Sequence, residues 1–205
     1  MLPDKVVRFA SQDKKTMNYD VSHLLSRLIS GPTPLRQICF SGATGPAPSP
    51  AFQVAFPRLE TVLGGVLDDL GIAGGTPQLV EQDVLYVPAG SWNFPQWSTP
   101  ATTLSIMFGK QQLGFSVTRW DGEELYNLTK QHVARRGPRI GSFLLQKLHE
   151  IQMQPKEQQT ARIIVASLLS HCQDLLGSTI PPAPTSKALL AAIRHYTAEH
   201  YAMHP

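Results

Sequence analysis

The sequence predicts a β-rich barrel or sandwich followed by a pair of amphipathic helices, and three observations predict it. Seven or eight short apolar segments lie close together between residues 35 and 120, punctuated by Gly, Pro, Ser and Asp, which is the spacing of strands joined by turns. No helical period separates them, and that favours an antiparallel sheet over a parallel one. Behind residue 125 the apolar period changes to that of a helix in two long stretches. Composition agrees: 42% hydrophobic and 16% charged residues exclude a disordered chain, while 15 Gly and 17 Pro suit many turns better than a helical bundle.

In order along the chain, residues 19–29 (YDVSHLLSRLI) carry a helical stripe of Val21, Leu24, Leu25 and Leu28, with Asp20 or Ser22 as the cap and Ser30-Gly31-Pro32 as the stop. Strands are expected at 35–40, 52–56, 59–67, 78–79, 84–87, 102–108 and 113–120. Residues 42–50 (GATGPAPSP) are too rich in Gly and Pro for a regular element and read as a surface loop. Residues 140–153 place Ile140, Phe143, Leu144, Leu148 and Ile151 on one helical face. Residues 156–176 do the same with Ala161, Ile164, Leu168, Cys172 and Leu175, ended by Gly177. The two helices meet near Pro155 and make an antiparallel hairpin, whose stripes must cover the sheet, a second copy, or both. Residues 178–186 (STIPPAPTS) have linker composition, and residues 187–201 form one more amphipathic helix with Leu189, Leu190, Ile193 and Tyr196 on its apolar side.

Charge divides the chain. Residues 1–125 hold nine Lys/Arg against eleven Asp/Glu, net −2, and residues 126–205 hold nine against four, net +5. The imbalance is too mild to mark a nucleic-acid surface by itself. Its densest piece, residues 130–139 (KQHVARRGPR), contains Lys130, Arg135, Arg136 and Arg139, but also Gly137-Pro138 and no aromatics, so it reads as a solvated loop. Cys39 and Cys172 form neither a disulfide framework nor a metal knuckle. The first twenty residues have no apolar signal-peptide core, and no run approaches the roughly 18 apolar residues of a span, so a cytoplasmic protein is expected.

The densest motif runs from Phe56-Pro57-Arg58-Leu59-Glu60-Thr61-Val62-Leu63-Gly64-Gly65 to Gln82-Asp83-Val84-Leu85-Tyr86-Val87-Pro88-Ala89-Gly90-Ser91-Trp92-Asn93. Proline ends the second strand by withholding an N–H, and glycine allows the positive φ of a tight turn. This pair of segments resembles the effector-binding cupin half of AraC-type transcription regulators. The likeness continues through both helices to Ala192-Ile193-Arg194-His195-Tyr196 and Glu199-His200-Tyr201, which look like the opening helix of that family's DNA-binding domain.

The resemblance implies a cupin-like barrel (double-stranded β-helix or jelly roll) with an N-terminal helix over 1–125, then a helical dimerisation hairpin over 126–177. A linker over 178–186 follows, and then the first helix of an incomplete helix-turn-helix domain over 187–205. It further implies a homodimer that senses a small molecule, a sugar or organic acid, and reaches DNA only through a C-terminal domain missing here. No specific operator binding by these 205 residues alone is therefore expected. Near the barrel mouth Arg58, Glu60, Tyr86, Trp92, Asn93 and Trp97 are the ligand-binding candidates, since aromatic walls exclude water and a few polar groups fix orientation. Which phase of the first motif strand faces inward, Leu59, Thr61 and Leu63 or Arg58, Glu60 and Val62, stays open. Phe143, Leu144, Leu148, Ile164, Leu168 and Leu175 are the dimerisation candidates.

No catalytic residue, cofactor or metal is expected. Metal-binding cupins resemble one another in supplying three histidines from the barrel, and this sequence has none between His23 and His132. His195 and His200 stand five apart, so their rings point roughly 140° from each other on a helix. No nucleophile elbow, phosphate loop or dinucleotide fingerprint occurs. Two other readings stay open: a cupin enzyme acting on a small carbohydrate or acid, and a free-standing interaction protein that pairs with a full-length regulator.

Overall fold

A computed structural model of the chain describes residues 19–31, 35–42, 46–47, 51, 53–72, 78–134, 140–152 and 157–177. They form a mostly β domain with three helices and an open mixed sheet. Helix α1 (Val21–Ser30) is followed by strands β1 (Ile38–Phe40), β2 (Arg58–Asp69), β3 (Gln78–Val80), β4 (Val84–Val87), β5 (Pro95–Gln96), β6 (Ala101–Phe108), β7 (Gln112–Trp120) and β8 (Leu125–Ala134), then by helices α2 (Ile140–Gln152) and α3 (Gln158–Gly177). The strand order is β1-β4-β2-β6-β7-β8, with β3 and β5 also on β2. β1 and β4 run parallel and the other pairs antiparallel. The expected linker over 178–186 and the helix over 187–201 lie outside the described residues. Among the described residues no helix is long and apolar enough to cross a membrane.

Strand β2 organises the sheet because it serves two partner sets. Arg58–Thr61 pairs with β4, and Arg58–Gly65 with β6, while its far end, Val66–Asp69, pairs with β3 and β5. The change comes at Gly64-Gly65, where the ladder with β6 is interrupted by an irregularity. Gly65 has φ +83°, and a Cβ there would strike the Pro100 carbonyl. Only glycine lets the strand bend this sharply against its neighbour.

Two apolar clusters sit on opposite faces of the sheet. Leu59, Val84, Tyr86, Leu104, Ile106, Leu113, Phe115 and Val117 join the buried faces of α1, α2 and α3. Val54, Val62, Leu67, Leu79, Leu85 and Val87 form the second cluster, with Cys39, Ile72 and Trp97 against it. This settles the phase of β2: Leu59 and Leu63 point to the helices, Glu60 and Val62 away from them.

The helices are anchored by specific polar contacts. Asp20 caps α1, its Oδ1 accepting from Ser22 N–H at 2.9 Å and His23 N–H at 3.4 Å. The Gln158 side chain of α3 accepts from Ile38 N–H at 3.0 Å and donates to the Ile38 carbonyl at 2.8 Å, so it clasps the β1 edge as a neighbouring strand would. Helix α3 packs on α1, where Gln173 Nε2 donates to Ser26 Oγ at 2.5 Å, and on α2.

The structure differs from the sequence reading at the back of the sheet. Residues 125–134 are strand β8, placed in hairpin with β7 by a turn in which Asp121 Oδ1 accepts from Glu123 and Glu124 N–H, both at 2.9 Å, and Gly122 takes φ +109°. The helical part therefore begins at Ile140, not at 126, and Lys130 lies on a strand instead of a loop. Strand β8 was obscured because it is a polar edge strand: its exposed residues, Lys130 among them, leave little alternation to read. Residues 53–56 are not strand, although Val54 exchanges two backbone hydrogen bonds with Gly90 and Ser91.

Candidate functional site

Strand alternation and register decide which predicted site residues meet. In antiparallel pairs, residues directly opposite present their side chains to the same face. One row across the sheet is Val87, Arg58, Met107, Gly114 and His132, and the next is Leu85, Glu60, Ser105, Ser116 and Lys130. Both rows lie on the face turned away from the helices. A Cβ placed on Gly114 would meet the Met107 side chain at 2.9 Å and the His132 ring at 3.4 Å. That spacing places both side chains over the same glycine and agrees with the register.

Glu60 and Asn93 are brought together, with a third member that the sequence reading omitted. The Asn93 Nδ2 amide donates to Glu60 Oε2 at 3.1 Å and to Asp69 Oδ2 at 2.9 Å. Asp69 Oδ1 accepts from Gly71 N–H at 2.8 Å and from Phe94 N–H at 3.2 Å. Glu60, Asp69 and Asn93 are all buried. The signal for Asp69 was present in Asp68-Asp69-Leu70-Gly71, since an Asp two residues before a glycine is set to accept from that glycine's N–H. Gly71 must lack a side chain, because a Cβ there would lie 2.8 Å from both the Asn93 Cα and the Trp92 carbonyl oxygen. Burial first, and the nearby Glu60 carboxylate second, push the Asp69 carboxyl up to about 6.

Arg58 approaches Glu60 with Nη2 at 3.5 Å, its side chain 17% exposed against 5% for Glu60. Among the described residues its buried Nε finds no partner, and neither does Nε1 of Trp92. Trp92 is half-buried and its carbonyl accepts from Ser41 Oγ at 2.7 Å. Trp97 packs against the cluster containing Val62 and Leu85, on the Glu60 side of the sheet.

Tyr86 does not join this group. It alternates with Leu85 and Val87, so it points to the helices, packs edge-on against Phe40 with ring centroids 6.2 Å apart, and is buried in the helix-side core. Burial pushes its hydroxyl up to about 12. Tyr86 is therefore a core residue, and the corrected polar group is Arg58, Glu60, Asp69 and Asn93, with Trp97 beside it.

The proposed dimerisation residues also separate. Leu148 and Leu168 are fully buried in the chain's own core, and Leu144, Ile164 and Leu175 pack half-buried against it. Only Phe143 of that set is exposed, at 55%, and Ile140 and Ile163 join it at 50% and 61%. The helical phase explains the difference: α2 buries Leu145, Leu148 and Ile151, and α3 buries Val165 and Leu169, which turns the predicted stripe partly outward. Among the described residues no three His, Cys, Asp or Glu side chains converge as metal ligands.

Compared with known proteins, the chain matches no family model and no solved structure. It is similar to the HTH-type transcriptional regulator YijO of Escherichia coli (strain K12), 68% identical over 186 residues, covering 91% of this chain and 65% of YijO. It is also similar to the HTH-type transcriptional regulator YpdC of the same strain, 28% identical over 185 residues, covering 87% of this chain and 63% of YpdC. The chain thus spans a little under two thirds of the length of these relatives.

Proposed function

We propose that this chain is the small-molecule-sensing and dimerising part of an AraC-type transcription regulator and not an enzyme. The effector would lie on the cupin-like inner face that carries Arg58, Glu60 and Asn93, and two copies would meet through α2 and α3. The relatives' names support a regulatory role. The observation that carries the sensing half of the reading is the assembly of Arg58, Glu60 and Asn93 from two distant segments onto one face of the sheet. For dimerisation, the supporting observation is the exposure of Ile140, Phe143 and Ile163 on the same helix pair, a surface that water does not favour. An effector acts only through the difference in its affinity for two arrangements of the dimer.

A fusion assay tests this. The chain is joined to a DNA-binding domain that represses a reporter only as a dimer. Repression is expected, and Phe143→Asp, at a ring 55% exposed, is expected to abolish it while the protein level holds. Absence of repression by the parent fusion, together with sedimentation as a monomer at micromolar concentration, would remove the dimerising half of the reading.

A further inference from the structure

From the rows of side chains that the register aligns, we infer that the effector is a small carboxylate, bound through Arg58 with its remaining oxygens on Ser105 and Ser116. The inference deepens the sensing role just proposed and rests on it. The guanidinium of Arg58 offers five N–H donors. Among the described residues it makes no hydrogen bond: its one acidic neighbour is Glu60 Oε2 at 3.5 Å, and its Nε is buried without a partner. A donor without a partner on a charged group is costly, and an acceptor brought to the accessible Nη edge of the guanidinium, on a side chain 17% exposed, offsets part of that cost.

The surrounding charges select the kind of acceptor. Lys130 of β8 shares the face with Arg58, and the two carboxylates nearby, Glu60 and Asp69, are already held by the Asn93 amide at 3.1 and 2.9 Å. Arg58 therefore keeps donors that neither carboxylate takes up among the described residues, and an anionic acceptor satisfies them best. An arginine fork matches a carboxylate in two parallel hydrogen bonds, which no neutral oxygen reproduces. Ser105 and Ser116 stand opposite each other in the row beside Arg58 and are half-buried, within reach of solvent. Each hydroxyl both donates and accepts, so hydroxyls borne by the carboxylate's chain would be accommodated there.

The test is a thermal-shift series on the full chain, with small mono- and dicarboxylates, some bearing hydroxyls, each set beside its amide and beside uncharged polyols at about 10 mM. At least one carboxylate is expected to raise Tm by about 5 °C or more, and its amide not to. In Arg58→Gln that rise is lost. Because Arg58 is partly buried, the variant's Tm without additive is the folding control. Shifts of the Ser105 and Ser116 amide resonances in the unsubstituted chain give a readout that needs no variant. If only uncharged polyols stabilise the chain, the carboxylate assignment is wrong while sensing stands. If nothing stabilises it, both fail. A carboxylate effect that persists in a well-folded Arg58→Gln overturns the site.

Discussion

Asp69 offers the most direct check on the buried polar group, through the substitution Asp69→Asn measured across pH. The carboxyl is enclosed with Glu60 facing it, and Arg58 lies beyond Glu60 at 3.5 Å. Its midpoint moves from 3.8 to about 6 on folding, and a shift of that size corresponds to about 3 kcal/mol. The folded state holds its proton more tightly than the unfolded chain does. The native contribution is therefore full below the unfolded midpoint and is lost as pH rises through the folded one. From pH 4 to pH 8 the wild-type contribution falls by about 2.5 kcal/mol by this linkage. An asparagine does not titrate, keeps one oxygen for Gly71 and Phe94 N–H, and leaves Asn93 short of one acceptor, a loss of about 1 kcal/mol. Urea unfolding at pH 4, 6 and 8 should thus show the variant less stable than wild type in acid and equal or more stable at pH 8. The difference between the two proteins, not either absolute curve, isolates Asp69 from the other carboxylates. A difference that stays constant across pH, with equal m-values, would refute the reasoning.

Three further outcomes follow from local geometry. Gly65→Ala should cost about 3 kcal/mol or more, since it combines positive φ with a clash against Pro100, whereas Gly90→Ala, with φ +81° but open space, should cost about 1 kcal/mol; equal midpoints in denaturant for the two would contradict the account. Leu168→Ala should lose about 2–5 kcal/mol as a fully buried core truncation, and Phe143→Ala should change the stability of the monomer, measured at concentrations too low for pairing, by less than about 1 kcal/mol because its ring is exposed within the single chain. Asp83→Ala should cost about 3 kcal/mol, because the buried carboxylate holds Arg36 at 2.6 Å and accepts from Val80 N–H at 2.9 Å. Arg36→Ala, on a side chain 54% exposed, should cost clearly less in the same urea titration.

The front of the chain was legible because its signals are local. Asp20 before an apolar stripe, Gly31 after it, and Pro88 and Gly90 around a turn each act within a few residues, and each sits where those rules put it. The polar group on β2 was half legible. Glu60 and Asn93 are separated by 33 residues, and only a motif spanning both segments placed them in one region, while Asp69 was not singled out. The phase of β2 could not be read, since Arg58-Leu59-Glu60-Thr61-Val62 has an apolar residue on each face, one sealed by helices and the other by the second cluster. Tyr86 was misassigned for the same reason, as all four residues of β4 are buried and carry no alternation. On the helices, a stripe wider than one face left the choice between Phe143 and Leu145 to tertiary packing, which the periodicity of an isolated segment does not contain.

If the polar face senses a ligand, its connection to the helices is short. Asn93 joins Glu60 to the loop after β4, Trp92 in that loop accepts from Ser41, and Ser41 N–H donates to the Tyr86 carbonyl at 2.9 Å. Ser41 directly follows β1, and β1 is clasped by Gln158 at the start of α3. Contact alone transmits nothing: a signal needs an element with two arrangements of similar free energy, each favoured by a different ligand state. Strand β1 suits that role better than the sheet interior. It is three residues long and lies at the sheet edge, paired with β4 on one side and clasped on the other by the Gln158 amide. A charge brought to Arg58 acts on Glu60, and through Asn93 on the loop that meets this edge. The Gln158 clasp is a polar contact by which a change at β1 would reach α3, beside the apolar packing of α3 on the sheet and on α1.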